Sequence, residues 1–318
     1  MVLDDEQVRL RLDPGRAVAA VRQALLDAER GDLVAPPRVF AELGDGRLIF
    51  TAGARAGSWF GYRSYDTFDT DSGEQVVVVH ERANGRVAAV ALGHELGPRR
   101  TGATGAVAVD LLARRNATRL GLLGAGTQAW AQLWAVRSVR ALEEVLVWSR
   151  DPHLRAAFAR RAEEELGIAT REATSAEDAV RERDIVVLAT NSAVPVIEVG
   201  WITPGCHVTT LGPKQHGRAE FNLALAERAD LIVTDSVAQA HAYRPPFVLE
   251  GTPAMDRLVS LGAVIDHQSS GRTRQEDVTL FCSVGLAGSE VYLLAELARQ
   301  AELDQTAHPA ANGSGRRP

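Results

Sequence analysis

The chain has 318 residues, enough for about two domains at roughly 150 residues each, and each would be long enough to bury its own core. Apolar residues make up 46% and charged residues 24%, close to globular averages, which excludes collagen-like, coiled-coil and wholly disordered chains. Lys plus Arg number 35 against 41 Asp plus Glu, a formal charge of −6, without the basic excess of a protein that binds nucleic acid or an anionic membrane.

Residues 1–11 carry Asp4, Asp5 and Glu6 where a signal peptide has a basic and then an apolar region, so a cytoplasmic protein is expected. The apolar runs 76–79 and 185–190 are far shorter than the roughly 20 residues that cross a bilayer. Residues 14–30 read as a helix, and 38–43, 48–52, 59–68 and 74–81 as strands. Asn84-Gly85 stands between the stretches 76–82 and 86–91, the strongest short hairpin signal. This part is expected to be a helix on a mostly antiparallel sheet. The pattern turns helical over 101–115, which puts a boundary near residue 112.

Beyond it, short apolar runs at 119–123, 145–148, 185–189, 207–211 and 231–234 alternate with amphipathic segments, the pattern of a doubly wound parallel α/β sheet covered on both faces. A strand at 278–284 and a helix from Ser289 to about 301 follow, and 305–318 has the composition of a disordered tail. Cys206 and Cys282 have neither CxxC nor Cys/His spacing, so they read as small buried side chains. No HExxH and no His pair at i, i+4 occurs, so no metal is expected, and His80, His94 and His207 read as structural. Neither Ser192 nor Ser283 lies in a Gly-x-Ser-x-Gly elbow, which sets hydrolysis aside.

The chemistry concentrates first at Gly124-Ala-Gly126-Thr127-Gln128-Ala129, a Gly-x-Gly-x-x-Ala directly after an apolar strand and before a helical segment. The first Gly permits the tight turn, the second lets backbone approach a pyrophosphate, and the small third residue lets helix and strand pack closely. A bare strand-to-helix turn is the alternative. The next strand ends in Ser149-Arg150, where an Asp or Glu would bind a ribose 2′-hydroxyl, so NADP(H) is favoured and NAD(H) remains open. Asp151-Pro152 reads as a helix N-cap followed by proline at the first helical position.

Arg100-Thr-Gly-Ala103, Gly124-Ala-Gly-Thr-Gln128, Asp184-Ile-Val-Val-Leu-Ala-Thr190, Pro204-Gly205 and Thr279-Leu-Phe-Cys-Ser-Val-Gly285 occur in one order over nearly the whole chain. In these motifs the sequence resembles the ornithine cyclodeaminase/μ-crystallin family. The resemblance implies a Rossmann dinucleotide-binding domain at 112–288 and an α+β substrate and dimerisation domain at 1–111 plus 289–304. It further implies a homodimer and hydride exchange between a nicotinamide cofactor and the α-carbon of an amino, imino or oxo acid. The implied cofactor residues are Gly124, Gly126, Thr127, Gln128, Ser149, Arg150, Thr190, Asn191, Gly212 and Val284.

Arg38 and Arg100 match the family's carboxylate-binding arginines, and planar guanidinium groups bind that shape bidentately. Arg38 is placed at a strand start and Arg100 just before a helix. Solvated surface arginines are the alternative. Two departures stand out. Arg63 replaces the family's usual lysine, which keeps a cation but removes a group that readily gives up a proton. Lys214 stands where cyclodeaminases carry an acid, so reduction of an imino or oxo acid is favoured over cyclisation of ornithine or lysine.

Lys214 is the candidate proton donor, although a lysine at a strand end is ordinarily solvated, and Tyr65 and His216 are lesser candidates. Tyr65, Phe68 and Trp59 are candidates to wall the pocket or to sit in the core. A non-catalytic protein that holds NADPH and a small ligand is the rival from another class.

Overall fold

The computed structural model describes residues 1–68 and 74–307, with the side chains of 304–307 outside the description. The chain opens with β1 (Val2–Leu3), α1 (Asp5–Arg11) and α2 (Pro14–Arg30). Asp4 caps α1 in a reciprocal box with Gln7, and Asp13 caps α2 before Pro14, so each helix begins where a side-chain oxygen meets the free backbone N–H groups. Then follow β2 (Leu33–Val34), β3 (Val39–Glu42), β4 (Arg47–Arg55), β5 (Trp59–Asp66), β6 (Gln75–Glu81) and β7 (Val87–Gly93). They form one sheet in the order β1-β7-β6-β5-β4-β2, with β3 on β4 and β1–β7 as its parallel pair. The Asn84-Gly85 signal marks the β6–β7 hairpin, where Gly85 has φ +75°.

α3 (Leu96–Leu112) leads into the second sheet. Its members in chain order are β8 (Arg119–Leu123), β9 (Glu144–Trp148), β10 (Thr170–Glu172), β11 (Ile185–Leu188) and β12 (His207–Thr210). A small hairpin, β13 (Lys214–Gln215) and β14 (Arg218–Ala219), precedes β15 (Leu231–Thr234), β16 (Leu258–Ser260) and β17 (Thr279–Cys282). The order is β10-β9-β8-β11-β12-β17-β15-β16 and every pairing is parallel, the doubly wound topology expected from the continuous apolar strands. Its crossovers include α4 (Thr127–Val136) and α5 (Pro152–Leu166), with the short α6 (Ala176–Val180), α7 (Leu223–Arg228), α8 (Val237–His241), α9 (Pro253–Asp256) and α10 (Leu261–Ile265).

α11 (Ser289–Ala307) returns to the first sheet and packs on β4 to β7 and on α2. It runs through Ala307, past the expected start of the tail at 305, and residues 308–318 of that expectation lie outside the described residues. Strand alternation decides which face of β5 meets α11. Trp59, Gly61 and Arg63 point to the helix, where Trp59 meets Tyr292 edge-on and a side chain at Gly61 would collide with Val291, whereas Phe60 and Tyr62 are exposed on the other face.

Trp59 therefore belongs to the core, and Phe68 covers Gly46 away from the cleft; of the three aromatic candidates, Tyr65 reaches the pocket. Both cysteines are free and buried, which pushes their thiols up to about 12. His207 is fully buried between Thr279 and Thr209 hydroxyls, and burial lowers its pKa to about 3. Among the described residues no helix is long and apolar enough to cross a membrane.

Candidate active site

The strand order brings the expected nucleotide residues to one edge of the second sheet. Gly124–Gln128 follow β8, Ser149-Arg150 follow β9, Thr190-Asn191 follow β11, Gly212 follows β12 and Val284 follows β17. All are at carboxyl ends of neighbouring parallel strands, and the strand order reverses direction between β8 and β11, the place where such sheets bind ligands.

Gly124 has φ +111°, and a Cβ there would run into the Ala189 carbonyl oxygen. Gly126 is the N-cap of α4 and provides no side-chain cap, and a Cβ there meets nothing within 4 Å. The first N–H groups of α4 thus face open space with no side chain to satisfy them, a cradle that suits a pyrophosphate. Ala129 is fully buried against the strand layer, as a small third residue requires. The residues present fit a dinucleotide.

At the end of β9, Asp151 is spent as the N-cap of α5, accepting from His153 N at 2.8 Å, while Arg150 is exposed. Two buried carboxylates brace the neighbouring loops. Glu220 accepts from the backbone N–H groups of Thr190 (3.0 Å), Leu211 (3.0 Å) and Gly212 (2.6 Å) and from the Thr190 hydroxyl (2.9 Å). Asp235 accepts from Val284 N (2.8 Å), Gly285 N (3.0 Å) and the Ser283 hydroxyl (3.2 Å). Each joins loops distant in sequence, which holds the cleft in one shape without touching its interior.

Facing this edge, a cavity of about 390 Å³ is lined by Arg38, Arg63, Tyr65, Arg100 and Lys214. Arg100 lies within α3, at its fifth residue, rather than ahead of the helix, so its contacts come from side chains and not from free backbone donors. Its guanidinium and that of Arg63 converge on Glu290 of α11, with Arg100 Nε at 2.9 Å and Arg63 Nη1 at 2.7 Å. Gln75 Oε1 fixes the other edge of Arg63 at 2.8 and 3.0 Å, and the guanidinium lies 4.1 Å from the Tyr65 ring centre. Burial alone would raise the Glu290 carboxyl, but Arg100 and Arg63 bring it down to about 2, so it is the fixed anion of the site.

Arg38 donates to the Val284 carbonyl, and its Nε is buried without a partner. Thr51, opposite Arg63 across β4–β5, also lines the cavity with a buried, unpartnered hydroxyl. Two orphaned polar atoms in one cavity mark positions that a polar ligand would satisfy.

Lys214 is 2% exposed, which sets aside the alternative of a solvated strand end. Its Nζ donates to the carbonyls of Leu211 (3.1 Å) and Gly212 (2.6 Å), which leaves one of three ammonium protons for the cavity. His216 is exposed on the β13–β14 turn, outside the lining, which removes it as a candidate. Glu290, Thr51, Glu220 and Asp235 escaped the sequence reading as functional positions. A Glu in the first turn of a helix ordinarily just complements the helix dipole, and nothing local marked the others.

The model of the ornithine cyclodeaminase/mu-crystallin family matches residues 1–301. The chain is 28% identical over 302 residues to the alanine dehydrogenase of Archaeoglobus fulgidus, covering 92% of each. Its fold is similar to the Thermococcus litoralis Delta(1)-pyrroline-2-carboxylate reductase in complex with NADH and L-proline, at TM-score 0.87 and 25% identity over 96% of this chain and 98% of that one. It is also similar to an archaeal alanine dehydrogenase dimer with bound NAD, at TM-score 0.85 and 27% identity over 96% and 97% of the two chains.

Proposed function

The chain belongs to the ornithine cyclodeaminase/mu-crystallin family, and from that premise we propose that it is an NAD(P)-dependent oxidoreductase acting at the α-carbon of an imino, oxo or amino acid. The observation that carries this reading is the paired Arg63–Glu290–Arg100 arrangement in a cleft beside the nucleotide cradle. Two guanidinium groups against one carboxylate leave a single positive charge, which one substrate carboxylate neutralises. Arg38 and the Thr51 hydroxyl add donors that have no partner in the protein. Tyr65 stacks on Arg63 and limits its orientation.

NAD(P)H held at the β8–α4 turn would supply a hydride for the substrate's α-carbon. Arg38, Arg63 and Arg100 hold the α-carboxylate so that this carbon faces the open end of the cradle. Lys214, anchored by two carbonyls, directs its remaining proton to the nitrogen or oxygen at the reacting centre, or takes that proton in reverse. Arg63 acts as a cation, since a guanidinium does not give up a proton in a protein. The absence of an acid at position 214 favours reduction over ornithine or lysine cyclodeamination.

The cofactor residues are Gly124, Gly126, Thr127 and Gln128 at the phosphates, Ser149 and Arg150 at the adenosine ribose, and Thr190, Asn191, Gly212 and Val284 along the sheet edge. NADP(H) is the favoured form over NAD(H), because Asp151 is committed to capping α5 and Arg150 is free to meet a 2′-phosphate. Arg150→Ala is expected to raise the KM for NADPH about tenfold or more and leave that for NADH unchanged. An unaltered preference refutes the assignment.

Residues 1–111 with 289–304 form the substrate and dimerisation part in this reading, 112–288 the nucleotide part, and the assembly is a homodimer. The primary test is NADPH and NADH absorbance with 2-oxo acids plus ammonia, cyclic ketimines and, in reverse, amino acids. Cofactor oxidation with an imino or oxo acid supports the proposal. Proline made from ornithine would replace it with cyclodeamination, and nucleotide binding without any turnover would replace it with a binding role.

A further inference from the structure

Five cationic side chains, Arg38, Arg63, Arg100, Lys214 and Arg218, line the cleft against one carboxylate, Glu290. Glu290 offsets one charge of the Arg63 and Arg100 pair, and an α-carboxylate offsets the other. Lys214 meets only carbonyl oxygens, and Arg38 meets one. A substrate with a single carboxylate therefore leaves the cleft strongly positive, and an iminium group at the reacting carbon would add to the excess. Like charges crowded into one cleft repel one another and weaken binding of such a substrate.

Arg218 is the cation with no task inside the protein. It opens β14, and among the described residues its guanidinium has no hydrogen bond or ion pair. The hairpin beneath it is nevertheless firmly held. Val248 N donates to Lys214 O at 2.8 Å, His216 N to Pro246 O at 2.9 Å and Glu220 N to Pro213 O at 2.9 Å, and the adjoining Glu220 is fully buried. An arginine on a pinned hairpin beside the cleft, with no anion of its own, is placed to receive one from a ligand. The phosphates of a dinucleotide have separate donors at the start of α4.

We propose that the substrate is a dicarboxylic imino or oxo acid whose second carboxylate is bound by Arg218. This rests on the oxidoreductase reading above. The test measures NADPH and NADH turnover with ammonia and either oxaloacetate or 2-oxoglutarate, against 2-oxobutanoate and 2-oxopentanoate. At least one dicarboxylate is expected to exceed its monocarboxylic counterpart by tenfold or more in kcat/KM.

Arg218→Met should collapse that ratio by about tenfold or more, mainly through KM, and Arg218→Lys should restore part of it, because a point charge replaces only part of a bidentate contact. Equal or better turnover of the monocarboxylates, or a ratio unmoved by Arg218→Met, overturns the dicarboxylate assignment alone. No turnover with any acid or ketimine overturns the oxidoreductase reading together with it.

Discussion

Glu290 carries no proton and meets almost no solvent, yet it organises the cleft, because the buried Arg100 and the largely covered Arg63 share it as their acidic partner. Glu290→Gln keeps the shape and removes the charge. The variant is expected to lose about 3–5 kcal/mol of stability by urea unfolding, the cost of leaving buried cations uncompensated. The pH dependence has a definite sign. The folded carboxyl, at about 2, lies below its ordinary value of 4.5, so its stabilisation is complete above 4.5 and is lost as pH falls from there toward 2. The wild type should weaken over that window more steeply than Glu290→Gln. Lys214→Met removes the proposed proton donor and should cut kcat by about 10²- to 10⁴-fold with little change in the substrate's KM. A loss below tenfold would retire Lys214 from the chemistry.

The β8–α4 turn separates two roles of glycine that the sequence motif merges. At Gly124 the positive φ and the Ala189 carbonyl both oppose a side chain, so Gly124→Ala is expected to lower Tm and cofactor affinity together. At Gly126 the backbone is ordinary and the space is open. Gly126→Ala should keep the wild-type Tm while weakening NAD(P)H binding tenfold or more, because its methyl enters the phosphate cradle; calorimetry of unfolding and of cofactor titration separates the two. α3 shows a limit of local patterns. Its start was placed after Arg100, but the helix begins at Leu96, with Pro98 in the first turn, where proline is tolerated, and Leu96 and Gly97 buried.

At the scale of the whole molecule, α11 covers the inner face of the first sheet and leaves its outer face bare. Val39, Phe60, Tyr62 and Leu92 are exposed there, and His80 stacks on Phe60 at 4.8 Å. Apolar side chains gathered on one sheet face are a feature of interaction surfaces, and if the proposed homodimer uses this face its exposed aromatics become buried. Phe60→Glu combined with Tyr62→Glu is expected to give a folded monomer by light scattering, with the nucleotide cradle of the second sheet intact. A dimer that persists in this variant places the interface elsewhere.

Most element types and the nucleotide loop were legible along the chain, because continuous apolar strands, the Asn84-Gly85 turn, the Asp151-Pro152 cap and the Gly-x-Gly-x-x-Ala turn are dictated by backbone geometry within a few residues. Arg38, Arg63, Arg100 and Lys214 stood out through the family resemblance that its motifs carry. How they are charged and held depends on contacts between distant parts of the chain. The pairing of Arg63 and Arg100 with Glu290 spans 227 and 190 positions, and the burial of Lys214 depends on a hairpin docked against the 246–248 segment. Electrostatic partnership acts through space over a few ångströms, and no local pattern along the chain records which distant side chain will supply it.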